Sequence, residues 1–246
     1  GKGVVVAKDE LEAHQAIQEM MVEKRLGEAG SRLVIEEFLE GKETSLLVFS
    51  DGKQVIAMPP AQDYKNVFDN NQGPNTGGMG AFSTPGLLDK ALKEKLVKEL
   101  AEKTITAMSQ EGTPFKGILY LGLMLTENGV KILEYNVRFG DPEAQVILAR
   151  LDSDIVDIFL GIANGDLSTV KVSWSDMSAV CVIMAAQGYP SQCQVGQVIT
   201  GLEDVEKEEN IKVFHAGTKY NDSGQVITTS GRVLGVMARQ FSLEAA

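Results

Sequence analysis

Glu134, Asn136 and Arg138 stand at alternate positions of the run "ILEYNVRFGDPE", so on an extended strand they share one face while Leu133, Tyr135 and Val137 share the other. A carboxylate and an amide oxygen two residues apart suit Mg²⁺, which takes hard oxygen ligands and keeps its other positions for water and phosphate oxygens. The Arg138 guanidinium adds a planar fork suited to phosphate or carboxylate. The competing reading is an exposed strand face carrying a Glu–Arg pair, which the abrupt "FGDPE" turn disfavours.

A second concentration of chemistry lies in "DYKNVFDNNQGPNTGGMGAF", Asp63 to Phe82. Gly73, Gly77, Gly78 and Gly80 offer unhindered amides around Asn75 and Thr76, a composition suited to cradling an anionic or sugar-like ligand; an Ω-loop without a ligand is the alternative. Glu36 and Glu37, at the end of "RLVIEEFL", cannot both face a core, so one of them points to solvent, a cation or a ligand. Gly1-Lys2-Gly3 precedes a strand-like run, with glycines that let amides approach phosphate oxygens and a lysine that brings a mobile charge. It is not a Walker A loop, because no Ser or Thr follows Lys2 and no helix follows the loop; a plain turn is the competing reading.

These residues need elements to hold them. Val4–Ala7 reads as a strand, and Asp9 with Glu12 as a capping-box pair that opens a helix with the stripe Leu11, Ala13, Ala16, Ile17, Met20 and Met21. "RLVIEEFL" and "ETSLLVFS" read as strands separated by Glu40-Gly41, and Asp51-Gly52 as a hairpin turn into "QVIAM". From Pro59 to Gly86 the apolar periodicity disappears, so a long functional loop is expected. A helix from about Leu87 to Gln110 follows. Strands "ILYLGLML" and "VKILEYNV" then meet at Asn128-Gly129, and helices resume from Glu143 to Ala163. Beyond a boundary near Val170 the pattern is one of short strands: "SAVCVIMAA", "QVIT", "IKVFHAG", "QVITT" and "RVLGVMAR".

The 246 residues, 43% hydrophobic and 23% charged, support the packed core of one large domain or two ordinary ones. A formal charge of −11 argues against a broad nucleic-acid or anionic-membrane surface, so neither partner is expected and an anionic ligand needs a local well. Cys181 and Cys193 allow at most one bridge, and Cys181 within "AVCVIMAA" reads as a small buried hydrophobe, which points to a reducing, cytoplasmic setting. No apolar run approaches the roughly 18 residues of a membrane span, and no charged-then-apolar leader precedes the first strand. The sequence opens without methionine at "GKGVVVA" and stops at "FSLEAA" as a helical pattern begins, so both ends are expected to be truncated.

Taken together, a glycine–lysine loop, a strand ending in two glutamates and a metal-type Glu-x-Asn strand resemble the ATP-grasp superfamily in the order its members use. The longer strings "PPAQDYKN", "GPNTGGMGAF", "GILYLGLML", "LEYNVRFGDPE", "VFHAGT" and "GRVLGV" are similar to the phosphoribosylamine–glycine ligase family, nearly from end to end. The resemblance implies an α/β (α+β) ATP-grasp fold truncated on its N-terminal side. Residues 1–36 then belong to the small lid subdomain, 37–169 to the large subdomain and 170–246 to an incomplete, mostly β C-terminal domain. It implies that Gly1, Lys2 and Gly3 cover the phosphates of ATP, a further lysine before them being absent, and that Glu36, Glu37, Phe38 and Leu39 form the adenine hinge with Glu43 at the ribose. Glu134 and Asn136 would hold Mg²⁺ or Mn²⁺, and Arg138 and Asp141 would line the pocket of a phosphorylated intermediate. Asp63, Lys65, Asn75, Thr76, Gly77, Gly78, Met79 and Gly80 would receive glycine and phosphoribosylamine. The family usually has His and Arg where this chain has Tyr64 and Asn66, and Cys at Val137; Gly122 to Met124 stand where many other ATP-grasp enzymes place an acidic metal ligand.

The activity so implied is ATP-dependent ligation of glycine to 5-phosphoribosylamine through glycyl phosphate, a step of purine biosynthesis, with fusion to other purine-pathway domains left open. Phosphoryl transfer rests on positioning and charge neutralisation, which agrees with the lack of a His-based catalytic set: His14 falls on the first helix and His215 in "VFHAG". Two alternatives stand beside it, another ATP-grasp carboxylate–amine ligase and a truncated nucleotide-binding fragment without activity.

Overall fold

The computed structural model describes residues 3–246, so Gly1 and Lys2, expected over the ATP phosphates, lie outside the described residues. The chain divides into two compact units, Gly1–Gly41 and Lys42–Ala246.

In the first unit α1 spans Glu10–Ile17 and is opened by Asp9, whose carboxylate accepts the Glu12 amide at 2.8 Å. Glu12 Oε2 in turn accepts the Lys8 amide at 2.9 Å, so the expected capping box forms with its return arm displaced by one residue. The helix runs into a π turn, Gln18–Val22, and a 3-10 turn at Gly27–Ser31. Residues 4–7 and 32–39, expected as strands, carry no ladder, because among the described residues no neighbour pairs with them and a strand exists only through its partner. Val34 and Ile35 are accordingly 84% and 83% exposed.

In the second unit β1 (Lys42–Asp51), β2 (Val55–Ala57), β3 (Gln62–Phe68) and β4 (Gln72–Ser83) precede α2 (Lys90–Leu96), a π turn (Val97–Glu102) and α3 (Lys103–Gln110). Then come β5 (Lys116–Thr126), β6 (Gly129–Asn136), α4 (Glu143–Leu148) and α5 (Ile155–Asn164). β7 (Ser178–Ala185), α6 (Leu202–Val205), β8 (Ile211–His215), β9 (Thr218–Tyr220), β10 (Val226–Thr228) and β11 (Arg232–Gln240) complete it. Among the described residues the sheets run β2-β1-β5-β6, β3-β4-β7-β11-β8 and β10-β9.

β1 is buried on both faces, and its alternation feeds two cores. Leu46 and Val48 join Leu119, Leu121 and Leu123 of β5 beneath Leu96, Ala101 and Ile105. Leu47 and Phe49, with Tyr120, meet Val146, Ile147, Ile158 and Ile162 of α4 and α5, together with Ala81, Ala179, Cys181, Ile183 and Met237 of the five-stranded sheet. Helices α4 and α5 therefore share one core with both large sheets. Asp51 closes the β1–β2 turn by accepting the amides of Lys53 and Gln54 at 2.8 and 2.9 Å.

The segment from Pro59 to Gly86 is not the irregular loop expected. β3 and β4 form a long antiparallel hairpin from Gln62↔Phe82 to Phe68↔Gln72, with register shifts between Tyr64, Asn66 and Phe68. The glycines that erase its alternation mark close backbone approach: a Cβ on Gly80 would lie 2.8 Å from the Cys181 carbonyl oxygen of β7. "QVIT" reduces to an isolated bridge between Val198 and Ile227, since no ladder continues from it, and "FSLEAA" forms turns without a helix. The helix expected from Leu87 begins at Lys90, capped by Asp89. Packing sets Gly1–Gly41 apart from Lys42–Ala246, and β4 pairs with β7 across the boundary expected near Val170.

Phe49 is fully buried, edge-on to Phe139 with centroids 6.5 Å apart and stacked on Trp174 at 6.4 Å. Phe49→Ala is expected to lower the unfolding free energy by about 3–5 kcal/mol in a denaturant titration. A loss within about 0.5 kcal/mol would show that this ring is not what holds the core together.

Candidate functional site

The sheet register lines the polar residues up in rows. Ser45 of β1 faces Gly122 of β5, Gly122 faces Glu134 of β6, and Tyr120 faces Asn136. A Cβ on Gly122 would sit 3.1 Å from Glu134 Cγ, so glycine there leaves room for the carboxylate. Asn136 Nδ2 donates to Glu134 Oε1 at 3.1 Å, and the pair stands at the open end of β6. β6 stops at Asn136, which cuts short the shared face expected to include Arg138. Arg138 lies beyond the strand, exposed, and donates to the adjacent Phe139 carbonyl at 2.7 Å.

From β1 and β3 come Glu43, Asp63 and Lys65. Lys65 Nζ donates to Glu43 Oε2 at 2.7 Å. Tyr120 donates to Glu143 Oε1 at 2.7 Å, while Ser45 Oγ lies 3.1 Å from that oxygen and 2.8 Å from the Tyr120 hydroxyl. Glu143, the first residue of α4, is 3% exposed, so hydrogen bonds replace the water its carboxylate has lost. Burial, reinforced by the charges of Glu143 and Glu43 and opposed by Lys65, pushes the Asp63 carboxyl up to about 7. Burial would lower Lys65, but Asp63, Glu43 and Glu134 outweigh it and hold the ammonium above its usual range. The Tyr120 phenol is pushed up by burial and by Glu143. Sequence reasoning missed Ser45, Tyr120 and Glu143; its one signal was a polar residue inside an otherwise apolar pattern.

The glycine-rich hairpin is laced to itself and to its surroundings. Thr76 Oγ1 donates to the Lys65 carbonyl at 2.7 Å and accepts the Gly78 amide at 3.0 Å. Asn66 Nδ2 donates to the Gly73 carbonyl at 3.0 Å and to Asn75 Oδ1 at 3.3 Å. The Gly77 amide donates to the Tyr189 hydroxyl at 3.0 Å. The amides of Gly77 and Gly78, expected to face a ligand, are thus taken by side chains of the protein. Gly78 has φ of 109°, and a Cβ there would lie 2.5 Å from Pro142 Cδ, so only glycine fits. Met79 and Gly80 line an apolar groove of 240 Å³ with Tyr64, Phe82, Val180 and Val182, apart from the polar contacts. Asp141 Oδ1 accepts from Gln145 at 3.1 Å, and the Asp141 carboxylate also pairs with Arg232 of β11, Nη2 to Oδ2 at 3.4 Å. No residue pattern had marked Arg232 as part of the site.

In the first unit, Gly3, Glu36, Glu37 and Phe38 are exposed and Leu39 is half-buried. Among the described residues no three or more His, Cys, Asp or Glu side chains gather as a metal cluster. The Glu134–Asn136 pair still fits a hard divalent cation, because rotation of the Asn136 amide presents two oxygens side by side and leaves the remaining positions to water and phosphate.

Residues 1–144 match the family described as phosphoribosylglycinamide synthetase, ATP-grasp (A) domain, and residues 179–246 match phosphoribosylglycinamide synthetase, C domain. Along its whole length the chain is 47% identical to a phosphoribosylamine–glycine ligase of Rhodopirellula baltica and 47% identical to one of Vigna unguiculata, spanning 56% and 80% of them. It is 47% identical to the trifunctional purine biosynthetic protein adenosine-3 of Homo sapiens, spanning 24% of that protein. The crystal structure of phosphoribosylamine–glycine ligase from Thermotoga maritima is similar with a TM-score of 0.78 and 36% identity, over 93% of this chain and 58% of that one. The chain spans about half the length of several curated relatives it matches.

Asp63 carries a carboxyl raised to about 7, against about 4 in an unfolded chain. Below about pH 4 both states hold the proton and burial costs nothing; as pH rises toward about 7 the unfolded chain releases it first, so stability falls across that window. Asp63→Asn is therefore expected to raise the melting temperature at pH 8 and leave it nearly unchanged at pH 4. An equal difference at both pH values would show that titration of Asp63 is not the cause.

Proposed function

The chain belongs to the phosphoribosylglycinamide synthetase family, and from that premise we propose that it carries the ATP, metal and substrate sites of a ligase that joins glycine to 5-phosphoribosylamine. Glycine carboxylate attacks the γ-phosphoryl group of ATP, giving glycyl phosphate and ADP. The amine of phosphoribosylamine then attacks the acyl carbon, and phosphate leaves glycinamide ribonucleotide behind.

The observation that carries this reading is the Glu134–Asn136 pair at the end of β6, whose carboxylate also acts on the Lys65 ammonium that Glu43 fixes. Glu134 and Asn136 would hold Mg²⁺ or Mn²⁺, which would supply positive charge against the phosphate oxygens. Lys65 adds an ammonium fixed by Glu43, and Asp63 is poised near neutrality to accept the proton that the amine sheds on attack. Arg138 and Asp141 line the space of the acyl phosphate, and Asn75, Thr76 and the glycines through Gly80 shape the substrate end. Gly1 to Gly3 and Glu36 to Leu39 serve the phosphates and adenine, with Glu43 toward the ribose. In this reading residues 1–36, 37–169 and 170–246 are the lid, large and C-terminal parts. Fusion to other purine-pathway domains is supported by the name of the human relative. A cytoplasmic setting belongs to the same reading; among the described residues no helix is long and apolar enough to cross a membrane.

ADP release should be stimulated by glycine together with phosphoribosylamine and not by bicarbonate; stimulation by bicarbonate would assign the site to a carboxylase-type relative instead. Glu134→Gln should cut Mg²⁺-dependent turnover by about a hundredfold or more, as loss of one charge-stabilising group does elsewhere. Unchanged turnover over a Mg²⁺ titration would remove Glu134 from the metal site.

A further inference from the structure

Both backbone polar groups of Gly77 are held by side chains from the far end of the chain. Its carbonyl accepts from Arg232 Nη1 at 2.7 Å, and its amide donates to the Tyr189 hydroxyl at 3.0 Å. The same guanidinium lies 3.4 Å from the Gly78 carbonyl oxygen and 2.9 Å from that of Asp141, and pairs with the Asp141 carboxylate. One nitrogen, Nη1, therefore ties the glycine-rich hairpin to the turn after β6, while Nη2 of the same guanidinium faces the Asp141 carboxylate at 3.4 Å, so both ends of the group are used. Space is shaped around it. A Cβ on Gly77 would lie 3.2 Å from the guanidinium carbon, and one on Gly231 would strike the Tyr189 ring. The Arg232 side chain is 25% exposed, so its bonds are made in a partly dry setting where they weigh more than at an open surface.

We propose that Arg232 is a positioning residue of the ligase site: by holding Gly77, Gly78 and Asp141 together, it makes β11 a working part of glycine and phosphoribosylamine binding. The clamp follows from geometry, while the identity of the two substrates rests on the function proposed above. Arg232 touches none of the residues assigned to adenine, ribose or the metal, and reaches the acyl-phosphate space only through Asp141, so its loss falls on glycine and phosphoribosylamine. Tyr189 acts on the same peptide from its other side.

Arg232→Ala is expected to raise KM for glycine and phosphoribosylamine about tenfold or more, with KM for ATP held within about twofold. Added methylguanidinium should restore part of the loss, and Arg232→Lys should recover less than the native guanidinium, because a single ammonium cannot meet the Gly77 carbonyl and the Asp141 carboxylate from two separate nitrogens. Tyr189→Phe combined with Arg232→Ala should cost less than the sum of the separate losses, because both act on one peptide. Amide hydrogen exchange needs no turnover: Arg232→Ala should speed exchange over residues 72–80 and 139–142 while β1 and β5 stay protected. A parallel rise in KM for ATP, no rescue by methylguanidinium, or unchanged exchange over residues 72–80 would each overturn the proposal. If the unaltered protein released no ADP with the two substrates while Arg232→Ala still loosened the hairpin, the functional reading would fail and the clamp would stand. Turnover with both KM values unmoved by Arg232→Ala would reject the positioning role and leave the function intact.

Discussion

A strand that is rich in glycine cannot anchor itself, and β4 has glycine at positions 73, 77, 78 and 80. Without side chains to bury, such a segment loses much backbone freedom on folding and gains little packing in return. Its surroundings must hold it by the main chain. β3 and β7 flank it, Thr76 ties it back to Lys65, and Tyr189 and Arg232 reach it from later in the chain. The missing side chains also permit approaches no other residue allows, with Pro142 pressed against Gly78 and the Cys181 carbonyl against Gly80. The hairpin is therefore a packed wall whose shape depends on its neighbours, rather than an open cradle of amides.

Charge around that wall is arranged by the same logic of supply from several elements. Glu43, Asp63 and Glu134 all act on Lys65, and Glu143 with Glu43 acts on Asp63. A single ammonium among several carboxylates leaves a local excess of negative charge, the kind of field that draws in a divalent cation. Glu143 escapes the usual penalty of a buried carboxylate because Tyr120 and Ser45 point hydroxyls at it. The two core-facing rows of β1 and β5 thus place apolar residues in the cores and, at Ser45 and Tyr120, a short polar bridge toward the site.

Much of this was legible in the sequence wherever the signal was local. The apolar runs of β1 and β5, the Asp51-Gly52 and Asn128-Gly129 turns and the helical stretch 90–110 all announce themselves within a few residues. The Glu134–Asn136 pair was visible because alternation on a strand is a local rule, and Arg138 was misplaced because the strand ends before it. The β3–β4 hairpin was hidden because glycine suppresses the alternation by which strands are recognised. Residues 32–39 showed the opposite failure, with a strand-like composition and no partner to make it a strand. Glu143 and Arg232 were beyond reach for a different reason. Each acquires its role from groups far away in sequence, Ser45 for one and Gly77 for the other.

The pairing of Gly80 with Val182 and of Ala81 with Cys181 sets an order on the birth of the protein. As the chain leaves the ribosome, β3 and β4 are complete long before β7 exists, and the outer edge of β4 waits unpaired through the synthesis of the intervening helices and strands. Such an edge is a template for pairing with another nascent chain, and closing so long a span is slow relative to local folding. A polypeptide halted before β7 would already own Glu134 and Asn136 but would lack the strand and the guanidinium that fix the hairpin beside them. Until β7 and Arg232 have emerged, that half-made hairpin stands exposed without the strand and the guanidinium that complete it.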